Sequence, residues 1–480
     1  NPKPQTPNPK PQTPNPWIMD KIVDRVSEEI IIETVAKADH HPHLYLEERI
    51  RSLRHLSYVI GLSTSLLTLT YLPNLFYVKE VLKESAANYT YFLSLSALPW
   101  SLKPIFGFFE DALCPFGYRV KFWLTVGSSI YLGLCALTIL LNPGLWVFTL
   151  CLGGINMAAT MQDVMALGFT VELFNLHGQV GETRARGGGR DTQEILLAKE
   201  EGEKEGKKSY ANYILFKFIL RTSAVFVGGL LVDTIPLWVL YMLLGSIQVI
   251  ALFYVWGVFR EEKRVGIWTT DRTLLQNLKE FWGVMSQHDI WRPMLMLSMV
   301  IGCPKVTEMG VYMLNQSGWG GKELAGTQMV GGVIYFLVIG YFVNKAKGLR
   351  FDVQTFIAVI AKCVENILTF RYSYIAELGY YSLLVLHVIN QFLDNLAYDF
   401  CAFPLVARLS PRLPKGIESF GVTVVAALSN MAYSLGGVMG AEILKGLRVG
   451  GDNTDGFWLA SLMAYGWSIG TALVCPLLNK

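Results

Sequence analysis

The chain has 480 residues, of which 52% are hydrophobic and only 16% are charged, and its mean hydropathy is +0.36. A soluble domain carries about 25% charged residues, so this composition excludes an ordinary soluble protein and favours one whose surface meets lipid. The net charge of +3 is too small, and the basic residues are too dispersed, for a nucleic-acid-binding protein.

The chain begins with a polar, partly helical segment, residues 1–54, which opens with two copies of the seven-residue unit NPKPQTP. This repeat is typical of an extended, polyproline-like tail. We expect no cleavable signal peptide among these residues. The cysteines of the chain are scattered without a CxxC pair, so we expect neither disulfides nor a zinc site, and the sequence predicts no metal or cofactor.

Twelve apolar segments follow, and each is long enough to cross a bilayer as a helix, which takes about 20 residues. They lie near residues 55–78, 88–109, 121–141, 145–171, 212–232, 236–258, 291–314, 323–344, 352–370, 379–404, 417–441 and 456–477. Basic residues cluster in every second connection, so the positive-inside rule places these connections and both termini in the cytoplasm. The predicted fold is an all-α membrane protein with twelve transmembrane helices.

A repeat divides these segments into two halves. GFFED (107–111) ends the second segment and GYFVN (340–344) ends the eighth, and a short basic turn follows each. Equivalent positions six segments apart predict two six-helix halves, which is transporter architecture. The halves comprise residues 55–258, with a charged cytoplasmic loop at 172–211 and a helical piece near 192–204, and residues 291–480, joined by a cytoplasmic linker at 259–290.

The second segment and its following turn read PWSLKPIFGFFEDALCPFGYR, residues 99–119. This stretch resembles the Pro-Trp-x-x-Lys-Pro-x-x-Gly-x-x-x-Asp…Gly-Tyr-Arg motif of the folate–biopterin transporter family, within the major facilitator superfamily. Residues 162–172, 291–304 and 414–430 are similar to the family's fourth, seventh and eleventh spans. The resemblance covers about residues 55–475 and implies transport of a folate- or pterin-like solute.

The same resemblance implies a cytoplasmic gate formed by Asp111, Arg119 and Lys121, whose ion pairs form and break as the halves rock. The family usually carries a second aspartate four residues after the first in span four. Here Asp163 is followed by Leu167, which leaves the usual substrate and its coupling to protons open.

Polar residues within the apolar segments are the candidates for binding the solute or protons, because charges at membrane depth normally face the bundle interior or a watery cavity. They are Asp163, Lys103, Arg221, Trp100, Asp394, Gln391, His387, Tyr398 and Glu308. The 3–4-residue spacing of Asn156, Thr160 and Asp163 places them on one helix face, with Asp163 as its lone functional charge. The alternative for Asp163 and Lys103 is a purely structural interhelical salt bridge.

Other residues of this kind carry their own alternatives. His387 is either a proton carrier or a hydrogen-bonded helix contact. Lys362 and Glu365 are expected to form a structural i,i+3 pair. Lys217 is expected to lie near the cytoplasmic interface and to snorkel towards it.

The sequence therefore predicts a secondary transporter of a folate- or pterin-like solute, coupled to protons, in the plasma membrane or an organelle membrane. Two alternatives remain: another solute such as S-adenosylmethionine, or a transport-silent scaffold or receptor. HExxH and a Cys/His metal spacing are absent from the sequence, and the fold itself implies no chemistry, so an enzyme is not expected. The expected partners are the solute, protons and the lipid bilayer, without nucleic acid.

Overall fold

The computed structural model describes residues 42–141, 143–187, 192–261, 279, 282–346, 351–372, 374, 378–409, 418–449, 453 and 455–478. The NPKPQTP repeat and most of the predicted linker at 259–290 lie outside these residues. Helices dominate the described part of the chain, as expected for an all-α membrane protein.

Among the residues that the structure describes, the first half contains eight α-helices. They are α1 (Pro42–Leu66), α2 (Tyr71–Phe76), α3 (Ala86–Ala97), α4 (Lys103–Ala112), α5 (Val120–Leu141), α6 (Leu145–Gly187), α7 (Thr192–Leu231) and α8 (Leu237–Gly257). The second half contains seven. They are α9 (His288–Ile301), α10 (Thr307–Gln316), α11 (Gly321–Ala346), α12 (Phe351–Phe370), α13 (Tyr380–Leu409), α14 (Glu418–Gly446) and α15 (Phe457–Leu478).

Helices occupy all twelve predicted segments. Within the described residues, nine helical stretches are long and apolar enough to cross a membrane. The seventh, eighth and tenth segments are not among them. The seventh is divided into α9 and α10 by residues 302–306, and the tenth, α13, carries several polar side chains. The count of twelve spans therefore stays a prediction, whereas the all-α transporter fold is confirmed.

The second predicted segment bends where its prolines predict. It consists of α3, a 3₁₀ turn over Leu98–Leu102 and α4, and Pro99 and Pro104 lie at the starts of the turn and of α4. Proline has no amide hydrogen and cannot continue the helical bonding pattern, so the chain tightens and bends here. Lys103 is the first residue after this bend.

Two compact units are distinguished in the chain. Residues 53–173 and 207–480 form the larger one, which contains both halves, and residues 1–52 and 174–206 form the smaller. The described part of the smaller unit is helical, including residues 174–187 and 192–206. Helix is thus more extensive than the piece expected at 192–204, because Glu, Lys, Leu and Ala dominate 194–208 and all favour helix.

The two halves pack closely through small residues. A β-carbon on Gly437 of α14 would lie 1.9 Å from the Ser94 Oγ of α3, so only glycine fits at this crossing. The Asn430 side-chain amide donates to the Trp100 carbonyl at 3.2 Å, again from α14 to the second segment. These contacts hold the eleventh segment against the second.

Polar contacts also join the outer ends of the halves. Lys79 donates to the Asn315 side-chain oxygen and lies 4.8 Å from the centre of the Tyr312 ring. The Tyr312 hydroxyl donates to the Glu84 carbonyl at 3.2 Å. These contacts therefore join the end of the first segment to the end of the seventh, on the side that the charge distribution places outside.

Candidate functional site

Asp163 lies at the centre of a buried charge cluster in the first half. Its carboxylate accepts a hydrogen bond from Lys103 Nζ on α4 at 2.8 Å and another from Lys217 Nζ on α7. The side chains are 3% exposed for Asp163, 10% for Lys103 and 17% for Lys217. We call these three residues the first-half cluster. One carboxylate thus joins three helices and faces two ammonium groups.

This geometry corrects one expectation. Lys217 was expected to snorkel to the cytoplasmic interface, and that is wrong: its ammonium group binds Asp163 inside the bundle. The contact with the buried carboxylate offsets part of the cost of removing the ammonium from water, so the side chain does not have to reach the interface. The ammonium also lies 5.6 Å from the centre of the Tyr213 ring.

Trp100 forms the aromatic side of the first-half cluster. Lys103 Nζ lies 4.9 Å from the centre of its ring, which is a cation–π distance. The indole nitrogen donates to the Asn156 side-chain oxygen at 2.9 Å, and the Asn156 amide donates to the Ser96 carbonyl at 2.9 Å. The ring is therefore held in a fixed orientation beside the ammonium group.

The predicted face of α6 exists in the structure. Thr160 Oγ1 donates to the Asn156 carbonyl at 2.7 Å, and Asn156 and Asp163 both bind residues of the second segment. Thr170, which the same 3–4-residue spacing places on this face, has a side chain outside the described set. The face between Asn156 and Asp163 therefore carries polar contacts.

A second charge cluster lies in the other half. Asp394 Oδ1 on α13 accepts from Lys305 Nζ at 3.0 Å and from Lys362 Nζ at 2.6 Å. Lys362 also lies 2.5 Å from Glu365 Oε2, so the predicted i,i+3 pair is present. We call these four residues the second-half cluster. The lysine side chains are each 4% exposed, whereas that of Asp394 is 41% exposed.

The aspartates of the two clusters lie on equivalent segments. Asp163 lies on the fourth predicted segment and Asp394 on the tenth, six segments later. Each aspartate is bound by two lysines that come from two other helical segments or their junctions. The lysines do not follow the repeat, because Lys103 and Lys217 come from the second and fifth segments whereas Lys305 and Lys362 come from the seventh and ninth. The likeness between the clusters is therefore an aspartate bound by two lysines, and the two-half division stays a prediction.

His387 and Gln391 form a separate polar contact on α13. His387 is buried, and its Nδ1 lies 3.1 Å from the Tyr372 hydroxyl while its Nε2 lies 3.0 Å from the Gln391 amide nitrogen. Both ring nitrogens therefore have partners. This arrangement favours the alternative in which His387 is a hydrogen-bonded helix contact.

Among the described residues, the side chains of Arg221 and Tyr398 make no hydrogen bond or ion pair with either cluster. The main-chain carbonyl of Arg221 accepts from Thr68 Oγ1 at 3.2 Å, and its side chain is exposed. Tyr398 is 38% exposed. Glu308 lies in the first turn of α10, with its side chain outside the described set. Their predicted roles at the solute site remain predictions.

The predicted gate residues lie at the end of α4 and the start of α5. Arg119 pairs with Glu172 at 3.5 Å. The amide nitrogen of Lys121 donates to Glu261 Oε2 at 2.8 Å, and its ammonium lies 5.3 Å from the centre of the Trp256 ring. The side chain of Asp111 lies outside the described set, so its predicted pairing stays a prediction.

A polar network that the sequence reading did not identify lies beside Asp163. Gln162 Nε2 donates to Ser128 Oγ at 2.9 Å and to Gln248 Oε1 at 2.8 Å, and Gln248 Nε2 donates to Ser63 Oγ at 2.5 Å. All four side chains are buried and come from α1, α5, α6 and α8. Glutamines inside apolar segments were the available signal, since a buried amide requires partners. The network fixes the helix that carries Asp163.

Among the residues described, no group of three or more His, Cys, Asp or Glu side chains is arranged to hold a metal ion. The chemistry available in the clusters is that of ammonium and carboxylate groups beside aromatic rings. Such groups can bind charged solutes or protons.

Comparisons with known proteins identify the fold and the family. The chain resembles a mutant of the nucleoside transporter NupG, with a TM-score of 0.61, 13% identity, and coverage of 89% of this chain and 100% of that one. It also resembles an auto-inhibited POT family peptide transporter, with a TM-score of 0.61, 12% identity, and coverage of 90% and 96%. A POT family transporter in complex with a thioalcohol-conjugated peptide gives a TM-score of 0.58, 12% identity, and coverage of 90% and 97%. At these identities the likeness shows the fold alone.

No curated protein sequence matches the chain significantly. The model of the BT1 family, in contrast, matches residues 61–182 and 221–478, which is well over half of the chain. The protein therefore belongs to the BT1 family, the folate–biopterin transporter family, and is a multi-pass membrane transporter of the major facilitator type.

Proposed function

We propose that the protein is a proton-coupled secondary transporter of an anionic, folate- or pterin-like solute, and that it has no enzymatic activity. The observation that carries this proposal is the first-half cluster, in which Asp163 is bound by both Lys103 and Lys217 beside the ring of Trp100. Such a cluster offers positive charge and a flat aromatic surface together. Family membership supports the solute class.

The charges of the first-half cluster suit an anion. Two ammonium groups face one carboxylate, which leaves one positive charge without a counter-charge in the cluster. A solute carboxylate that approaches Lys103 or Lys217 supplies this counter-charge. In a poorly hydrated site, such charge-assisted hydrogen bonds are strong. The ring of Trp100 provides a stacking surface for a planar heterocycle.

Proton coupling follows from competition for the same lysines. While Asp163 is ionised, it holds both ammonium groups. When it takes up a proton, both ion pairs weaken and the lysines become available to the solute. A ligand or proton shifts the equilibrium between two conformations of a transporter only if it makes different contacts in the two. We therefore assign the coupling to Asp163.

The direct test is uptake into proteoliposomes that contain the purified full-length protein. Labelled folate, biopterin and S-adenosylmethionine are offered with and without a proton gradient. We expect gradient-driven uptake of folate or biopterin, and loss of gradient dependence in Asp163→Asn with exchange of solute retained. Glu323→Gln, which changes a carboxylate outside both clusters, is the matched control and should transport like the parent chain.

Each result separates the candidates. Uptake of S-adenosylmethionine instead of pterins would assign the other solute. Absence of uptake for all solutes, by protein that remains folded and inserted, would favour the scaffold or receptor. Full gradient dependence in Asp163→Asn would refute the coupling role. Fluorescent tagging of the full chain would establish whether it resides in the plasma membrane or in an organelle.

A further inference from the structure

A cavity of about 600 Å³ lies at the outer end of the first half, away from both charge clusters. It lies between the helical turn Tyr77–Val81, which follows α2, the start of α6 and the connection from α7 to α8. Its walls include Tyr77, Glu80, Phe148, Asp233, Trp238 and Tyr241. Small-molecule sites have volumes of roughly 300–1,000 Å³, so a compact organic molecule fits. We call it the outer cavity.

One wall of the outer cavity is aromatic. The rings of Tyr77 and Phe148 meet edge to face at 5.1 Å, and those of Phe148 and Tyr241 at 6.3 Å. The hydroxyl of Tyr77 donates to the Pro143 carbonyl at 2.9 Å, and that of Tyr241 to the Asn74 side chain at 3.1 Å. Both hydroxyls are therefore engaged. Phe148 and Tyr241 are fully buried and support the wall from behind, so the partly exposed ring of Tyr77 is the surface that this wall offers to the cavity.

The same cavity carries two carboxylates, Glu80 and Asp233, from different segments of the chain. Both are exposed, and neither makes a hydrogen bond or ion pair with the residues that the structure describes. Lys79, the neighbour of Glu80, is instead bound to Asn315 and lies against the Tyr312 ring. Lys79 still interacts electrostatically with Glu80, but it does not line the cavity, whose described lining contains the two carboxylates and no basic side chain.

We propose that the outer cavity binds an organic ammonium ion that has an apolar or aromatic body. Aromatic rings attract such cations through their negative faces, and carboxylates at the same site supply the opposite charge. Trp238, whose side chain is half-exposed at the cavity, adds a ring with the strongest attraction of this kind. An anionic solute is repelled here, so the outer cavity serves a different ligand from the first-half cluster.

Two sources can supply this chemistry. One is the choline headgroup of a lipid in the outer leaflet, since the cavity lies at the end of the bundle. The other is a free cation in the surrounding water. Both place a quaternary ammonium between the carboxylates and the rings, and the experiment distinguishes them.

The probe is radiolabelled phenyltrimethylammonium, measured by equilibrium dialysis against the full-length protein in a neutral detergent. Benzenesulfonate serves as the anionic counterpart of similar size. The variants are Glu80→Gln, Asp233→Asn, their combination and Trp238→Ala. Glu323→Gln is the matched control, because Glu323 lines a separate outer pocket in the second half. Size-exclusion chromatography verifies that each variant is folded.

We expect saturable binding of the cation and none of the sulfonate. The combined variant should lose at least tenfold in affinity and Trp238→Ala several-fold, with Glu323→Gln unchanged. If diheptanoylphosphatidylcholine below its micellar concentration displaces the bound cation, the natural ligand is a lipid headgroup. If the lipid does not displace the cation, the natural ligand is a free cation in the surrounding water. Equal binding by the combined variant, or an equal loss in Glu323→Gln, would overturn the proposal.

Discussion

Replacing Asp163 by asparagine tests how much the first-half cluster depends on its single carboxylate. The substitution retains the size of the side chain and removes its charge. Lys103 and Lys217 would then remain close together in the bundle without the carboxylate that both now bind. Their side chains are only 10% and 17% exposed, so water can replace the lost partner only in part.

The magnitude follows from this geometry. Removing one member of a buried ion pair destabilises a protein by about 3–5 kcal/mol, because a buried charge is left uncompensated. Asp163→Asn leaves two such charges, so we expect a loss in this range. Lys217→Met leaves the Lys103–Asp163 pair at 2.8 Å intact, and we expect a loss of about 1.5–3 kcal/mol, the contribution of one charged hydrogen bond. The double variant Asp163→Asn/Lys217→Met retains one uncompensated ammonium and should be more stable than Asp163→Asn.

Thermal unfolding in detergent, followed with a thiol-reactive fluorophore, measures these differences. The described structure buries Cys114, Cys135, Cys151, Cys303, Cys401 and Cys475, so the dye reports their exposure on unfolding. Asp233→Asn, which removes an exposed carboxylate, is the control and should change stability by no more than about 0.5 kcal/mol. Equal melting temperatures for Asp163→Asn and Asp233→Asn would refute the reasoning. A double variant that is less stable than Asp163→Asn would also refute it.

Three further outcomes are expected. Asp394→Asn should lower the melting temperature less than Asp163→Asn, because Asp394 is 41% exposed and Lys362 keeps a second carboxylate; equal losses would contradict this. Gln248→Leu should destabilise the protein by about 1–3 kcal/mol in the same assay, since it leaves buried partners unsatisfied, and an unchanged melting temperature would argue against the network. In a cysteine-free background, Arg264→Cys should react with an impermeant thiol reagent only from the cytoplasmic side, and labelling from outside would overturn the topology.

The parts of the site that sequence predicts are those where a charge stands out against apolar neighbours. Asp163, Lys103 and Asp394 were identified because a charged side chain at membrane depth is costly and therefore indicates a functional site. Trp100 was identified with them as an aromatic ring that can stack on a planar solute. The two-half repeat was predicted from the similar residues at the ends of the second and eighth segments.

Other parts depend on which helices are neighbours, and a single sequence does not reveal this. Lys217 lies a few residues inside its segment, where a lysine that reaches the interface has the same sequence pattern as one that turns inward. Only the position of α7 against α6 places its ammonium on Asp163. Lys305 was missed for another reason: the seventh segment was read as one continuous helix, whereas this residue lies in the break between α9 and α10.

The two clusters each hold one aspartate between two lysines, but they differ in formal charge. The first-half cluster has one carboxylate for two lysines and so retains one positive charge. The second-half cluster balances Lys305 and Lys362 with Asp394 and Glu365 and has no net charge. An anion gains electrostatic energy by approaching the first and little by approaching the second. Under the proposed function, a solute bound between the halves therefore directs its anionic end towards Asp163 and its lysines, and its neutral ring towards the second half.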